Sequence, residues 1–150
     1  MIKTVVDYNE KNNYIRIGHT ATATGTKGIY NCTDLQNFPV PAVLTRQLHD
    51  VDKDAYTDLK GYTHRNRIRH DVEDIEVSFP YLSDNDRAEI LNMINYTWVY
   101  VELFDAKTKQ KKCIKMYASD KQWDTFLIFQ DSSNNWHTED VDLTFSLIQE

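Results

Sequence analysis

The most concentrated charge in the chain is His64-Arg65-Asn66-Arg67-Ile68-Arg69-His70. On an extended backbone Arg65, Arg67 and Arg69 point the same way, which makes a row of guanidinium groups suited to gripping carboxylates bidentately. Two readings follow: a solvated strand face, or a stripe that meets the carboxylates of a neighbouring copy. Nucleic acid ranks behind both, because no aromatic is interleaved to stack bases. Just upstream, Asp50-Val51-Asp52-Lys53-Asp54 places carboxylates at alternate positions, and Asp58 falls where a calcium-binding EF-hand loop has its ninth residue. The sixth place, which needs glycine for its bend, holds Ala55; the twelfth, which needs a bidentate glutamate, holds Gly61. The segment therefore reads as a solvated acidic loop in preference to a calcium site.

Other chemistry is harder to find. His19, His49, His64, His70 and His137 are scattered, and His64 and His70 lie too far apart along a strand to share an ion. Structural roles at a surface or interface are expected of them, and no metal. The chain has no Gly-x-Ser-x-Gly, and neither cysteine has a glycine or histidine neighbour. Gly25 and Gly28 lack the lysine and hydroxyl of a phosphate-binding loop. No catalytic residue and no cofactor is expected, so the protein is not read as an enzyme. Cys32 and Cys113 are too few and too widely separated to imply a disulfide framework or zinc site, and read as small core residues.

The elements that must position these groups are mostly strands. Asp140 to Glu150 alternates apolar and polar, with Val141, Leu143, Phe145 and Leu147 on one side, which is the period of a half-buried strand. Asp74 to Phe79 repeats the pattern and is closed by Pro80. Ser83 then reads as a helix N-cap, with Asp84 and Asp86 in the first turn and Ile90, Leu91 and Ile94 as an apolar stripe. Thr97 to Phe104 reads as a strand covered on both sides, with Trp98 and Tyr100 facing the core. Asp105 to Gln110 reads as a hairpin loop, Lys111 to Tyr117 as its return strand, Thr125 to Phe129 as a further strand, and Asp131 to Asn135 as a turn. Residues 1–36 read as an N-terminal hairpin and loop extension, in which Thr4 to Tyr8 and Tyr14 to Ile17 are strands and Thr20 to Gly28 an exposed loop. The fold expected is mainly β: an antiparallel β-sandwich or partly open barrel, one domain over 1–150, with one flanking α-helix at about 83–95.

Composition narrows the partners. The 150 residues carry a formal charge of −6; residues 1–75 balance ten Lys/Arg against ten Asp/Glu, while residues 76–150 hold seven against thirteen. That excess disfavours tight nucleic-acid binding, which depends on neutralising phosphates. No apolar run approaches the roughly 20 residues that span a bilayer, so no membrane partner is expected. The first residues lack the apolar core of a signal peptide, which implies folding in a cytoplasm.

The succession Asp58-Leu59-Lys60-Gly61-Tyr62-Thr63-His64-Arg65, Leu82-Ser83 with its helix, Phe104-Asp105-x-x-Thr108, Tyr117-Ala118-Ser119-Asp120 and Leu143 to Glu150 resembles small tail structural proteins of tailed bacteriophages. The group is related to tail-tube and baseplate-ring subunits, and the resemblance covers residues 57–150. One departure is Lys109, which stands where such hairpin loops usually carry glycine. The resemblance implies a homo-oligomeric ring around the tail axis, a hexamer in the first instance and a trimer as the alternative. Other phage tail proteins would be partners, DNA would pass through non-specifically, and the protein would reside in the virion after assembly in the bacterial host. The competing reading is a small β-domain that binds a carbohydrate or other small molecule through exposed aromatics. Exposure of Trp123 and Trp136 would favour that reading, and burial of both would favour the building block.

Overall fold

The computed structural model describes residues 15–39, 43–52 and 55–150. Among them the chain forms β1 (Arg16–Gly18), β2 (Ala21–Ala23), β3 (Tyr30–Cys32), β4 (Gln36–Asn37), β5 (Val43–Asp52), β6 (Tyr56–Thr57) and β7 (Thr63–His64). There follow β8 (Arg67–Ser83), α1 (Asp84–Met93), β9 (Val99–Phe104), β10 (Lys111–Ala118), β11 (Gln122–Gln130) and β12 (Trp136–Gln149). The main sheet runs β4-β1-β9-β10-β12-β8-β5, with β11 also paired to β12, and its strand pairs are antiparallel. Phe38, just past β4 at one end of the sheet, meets Phe79 and Phe145 edge-on at 6.0 and 6.3 Å. The sheet thus folds over on itself into two layers, with no closure between its end strands among the described residues. This is the β-sandwich with one helix that the alternating pattern implied.

The core lies between the layers. Ile17, Ile75, Val77, Val99, Val101, Ile114, Met116, Leu143 and Leu147 are fully buried, and Ile90, Met93 and Ile94 of the helix close one end. Residues on the inner face alternate with outward ones, as the pleat requires. The helix starts where expected: Ser83 Oγ accepts from the Asp86 N–H at 3.3 Å, and Asp84 and Asp86 occupy the first turn. β1 and β5 join the sheet from outside residues 57–150, and Ile15 and Ile17 enter its core. Thr4 to Tyr8 lies outside the described residues.

Several local expectations change. Strand β8 runs through Pro80 to Ser83, because the ladder with β12 is interrupted only at the proline. Opposite it Asp142 takes φ 57, and this kink shifts the alternation: Asp140 is buried in place of Val141, while Leu143, Phe145 and Leu147 stay inside. Thr20 to Gly28 is partly strand, since the backbone of Ala21, Thr22 and Ala23 pairs antiparallel with Cys32, Asn31 and Tyr30. That hairpin lies over the outer face of the sheet, where Tyr30 meets Tyr100 at 5.2 Å. Tyr100 is consequently half-buried under it, Trp98 is half-buried against Tyr117 and Lys115 of β10, and Val99 and Val101 are core residues of β9. Gly18 permits the crossing, because a Cβ there would meet Cys32 Sγ at 2.2 Å. The two cysteines, far apart in sequence, come together here: burial first, and then Cys32 beside it, push the Cys113 thiol up to about 12.

Candidate functional site

The arginine row folds back onto the acidic segment beside it. The register of β5 against β8 slips between His49 and Val51, and Asp71 takes φ 52 at this bulge. Its N–H is held by Asp50 Oδ1 at 3.1 Å, which fixes the Asp50 carboxylate near the start of β8. Arg67 donates to Asp50 at 3.1 Å, and Arg65 grips Asp52 with two bonds of 2.9 and 3.1 Å and reaches Asp50 at 3.4 Å. The Asp71 N–H and then Arg67 hold the Asp50 carboxyl below its usual range, and Asp52 holds Arg65 above its own. Arg65 and Arg67 therefore satisfy carboxylates of their own chain. Arg69 does not join them: it lines a separate cleft with Lys27, Tyr30 and Lys115. Asp54 lies outside the described residues. Asp58 shapes the β6–β7 turn by accepting from the Lys60 and Tyr62 N–H groups and pairing with His64 at 2.8 Å.

Three further histidines, His49, His19 and His137, also have local partners. His49 pairs with Asp74 at 3.2 Å, and His19 contacts the Met93 carbonyl at 2.7 Å. His137 presents Nδ1 to Asp84 and Nε2 to Asp131, each at 2.8 Å. Its two ring nitrogens face different carboxylates, so the three groups do not converge on a point where an ion could sit; among the described residues no such convergence occurs. Asp131 and then Asp84 raise the His137 pKa above its ordinary value. The Asn135 N–H and then His137 lower that of Asp131. Burial works to raise Asp84, yet the bond to His137 leads the effects that bring it below its usual range.

The structure singles out a surface elsewhere. β10 and β11 run one after the other along β12, separated by a bend at residues 119–121, where Ser119 Oγ accepts the Ser146 N–H at 2.8 Å in place of a backbone carbonyl. Beyond the bend, β11 and the first half of β12 form a hairpin arm. All nine residues of β11 are exposed, including Trp123 (36%), Phe126 (58%), Leu127 (48%), Ile128 (65%) and Phe129 (39%), and Trp136 (68%) lies opposite on β12. Because successive side chains alternate, the run Phe126-Leu127-Ile128-Phe129 is apolar on both faces. At roughly 150–250 Å² per large side chain, those six exposures leave on the order of 500–800 Å² of apolar surface in water. Shared between the two faces of the arm, that area is of the same order as the largest contiguous patch on an ordinary monomer, roughly 300–600 Å².

The arm is anchored, not loose. Asp140, fully buried at its base, accepts from Arg87 of α1, from Thr125 Oγ1 of β11 at 2.6 Å and from Thr138 Oγ1 at 3.1 Å. Arg87 also lies over the Trp123 ring at 5.3 Å. At the tip, Asp131 accepts from the Ser133 and Asn135 N–H groups, and His137 ties the turn to the helix N-terminus. The sequence carried one sign of this surface: four consecutive large apolar residues imply cover on both faces, and the described residues leave all four exposed.

A family model described as a family of unknown function, DUF6711, matches residues 41–145. The chain belongs to that family. No curated protein matches it.

Proposed function

We propose that this protein is a structural subunit that works by assembling with copies of itself through the β11–β12 arm, and that the assembly is a ring in a bacteriophage tail. The arm is the observation that carries the reading. An edge strand with apolar side chains on both faces, and an outer edge unpaired among the described residues, is an aggregation hazard for a monomer, and the natural cover for it is a neighbouring subunit. Its apolar area is comparable to the roughly 800 Å² that each partner contributes to a standard interface. A head-to-tail contact of this kind closes into a ring or continues as a filament. The resemblance of residues 57–150 to tail-tube and baseplate-ring subunits favours the ring. The acidic excess of residues 76–150 suits a lumen through which DNA slides without binding.

The test is the doubly substituted arm, Phe126→Ser with Ile128→Ser. Each side chain would bury on the order of 100 Å² against a partner, worth about 2.5 kcal/mol. Their joint loss should weaken association at least a hundredfold while leaving the unfolding midpoint of the subunit unchanged. Sedimentation velocity and urea unfolding measure the two effects. Association unchanged in the variant would remove the arm from the interface.

The exposure of Trp123 and Trp136 also favours the competing reading, a carbohydrate-binding β-domain. The aliphatic neighbours Leu127 and Ile128 weigh against it, since sugar rings stack on aromatic planes flanked by polar groups. Titration with oligosaccharides separates the two readings: saturable quenching of tryptophan fluorescence, abolished by Trp136→Ala, would support the sugar site.

A further inference from the structure

The chain has six arginines. Arg16, Arg46, Arg65, Arg67 and Arg87 each form an ion pair with a carboxylate of the same subunit, at Glu102, Glu73, Asp52, Asp50 and Asp140 respectively. Arg69 has no such partner among the described residues. It instead lines a cleft of about 750 Å³ between the β2–β3 hairpin and the ends of β8 and β12. Lys27, Gly28 and Tyr30 face it from the hairpin side, and Arg69, Lys115, Gln149 and the acidic Glu150 from the sheet. Lys115 is held by Glu150 at 3.5 Å, and Lys27, like Arg69, has no ion pair among the described residues. On a chain of net charge −6, the cleft thus gathers two uncompensated cations and a third that is partly compensated.

From this we infer that the cleft is a binding site for a small organic phosphate. The volume falls within the roughly 300–1,000 Å³ of small-ligand pockets, and the site is concave, unlike the extended groove that a nucleic-acid strand would need. The charge matches: a phosphate monoester carries about −1.5 to −2 near neutral pH, which two unpaired cations neutralise. Arginine suits the task because its planar fork meets two phosphate oxygens at once, while lysine serves as a point charge. Gln149 Oε1 already accepts the Glu73 N–H at 2.8 Å, which leaves its amide nitrogen as a donor, and Tyr30 supplies a hydroxyl and an apolar ring for the body of the ligand. A ligand held by Lys27 on one side and by Arg69 and Lys115 on the other would tie the β2–β3 hairpin to the main sheet. These residues are not those of the arm, so this inference stands or falls independently of self-assembly.

The experiment is a titration of the ¹H–¹⁵N spectrum of the full chain with phenyl phosphate, inorganic phosphate and acetate, at constant ionic strength. Saturable shifts confined to residues around Lys27, Arg69 and Lys115 are expected, with phenyl phosphate at least tenfold tighter than inorganic phosphate, and acetate without saturation. Arg69→Gln and Lys27→Gln should each weaken phenyl phosphate about tenfold or more, the loss of one charge-assisted bond (about 1.4 kcal/mol). Arg65→Gln, which alters an arginine already paired in its own subunit, should leave the affinity unchanged. Shifts that follow ionic strength alone, an equal response to acetate, or equal loss in Arg65→Gln would overturn the assignment.

Discussion

Replacing Asp140 by alanine should cost the protein about 3 kcal/mol. The carboxylate is fully buried and collects donors from three elements: Arg87 from α1, Thr125 from β11 and Thr138 from β12. Removing it strands a guanidinium and two hydroxyls that were positioned for it. Breaking a buried ion pair costs about 3–5 kcal/mol. The Arg87 side chain retains 21% exposure, so water can recover part of its solvation and the lower end applies. With a denaturant dependence of about 2 kcal/mol per molar urea, the midpoint should fall by roughly 1.5 M. Asp140→Asn, which keeps the shape and one acceptor but loses the charge, should lie in between. The double variant Asp140→Leu with Arg87→Leu should be less damaged than Asp140→Ala, since replacing both members of a buried pair leaves no orphaned charge. Urea unfolding followed by tryptophan fluorescence measures all three. A loss under about 1 kcal/mol for Asp140→Ala, or strict additivity of the Asp140 and Arg87 substitutions, would refute the claim that this carboxylate joins helix and arm.

Phe145→Ala should lose about 3–5 kcal/mol, because the ring is buried and meets Phe38 edge-on across the two layers; calorimetry gives the value, and a loss near 1 kcal/mol or less would show that the layers are not packed through it. The His137 clamp should depend on pH in a defined window. Its pKa is raised from the ordinary 6.5, so its contribution is full below that value and is lost as pH rises through the higher folded value. The carboxyls of Asp84 and Asp131 are lowered from 3.8, so theirs is full above that value and is lost as pH falls through the lower folded ones. Hydrogen exchange of the β11–β12 tip should therefore be slowed most between those two ordinary values, relative to His137→Gln, and the difference should shrink at alkaline pH. A difference independent of pH would contradict the clamp.

The sequence was most legible where local signals agreed. The Ser83 cap, the acidic first turn and the stripe of Ile90 and Ile94 specify α1 almost to the residue. Asp105 and Asp131 specify their turns through carboxylates that accept backbone N–H groups two or more residues on. Even the missing glycine left a trace: Lys109 takes φ 62, a conformation glycine adopts without strain. Long-range pairing was what local pattern could not supply. Nothing in Asp50-Val51-Asp52 or Arg65-Asn66-Arg67 alone says that the two segments neutralise each other, since that depends on a bulge in the β5–β8 register. The alternation around Val141 misleads by one place because a single left-handed residue, Asp142, reverses which face points inward. The apolar run of β11 is visible in the sequence, but its exposure depends on β11 pairing, among the described residues, with β12 alone, a property of the whole sheet.

The central claim is assembly through the arm, and the mass of the protein in solution tests it most directly. Sedimentation equilibrium over a wide concentration range should give a discrete closed species at six times the 17.7 kDa subunit mass, or three times in the alternative symmetry, with ring-shaped particles in electron micrographs of the same sample. A single 17.7 kDa species at every concentration, with the arm still reactive to small apolar dyes, would contradict it.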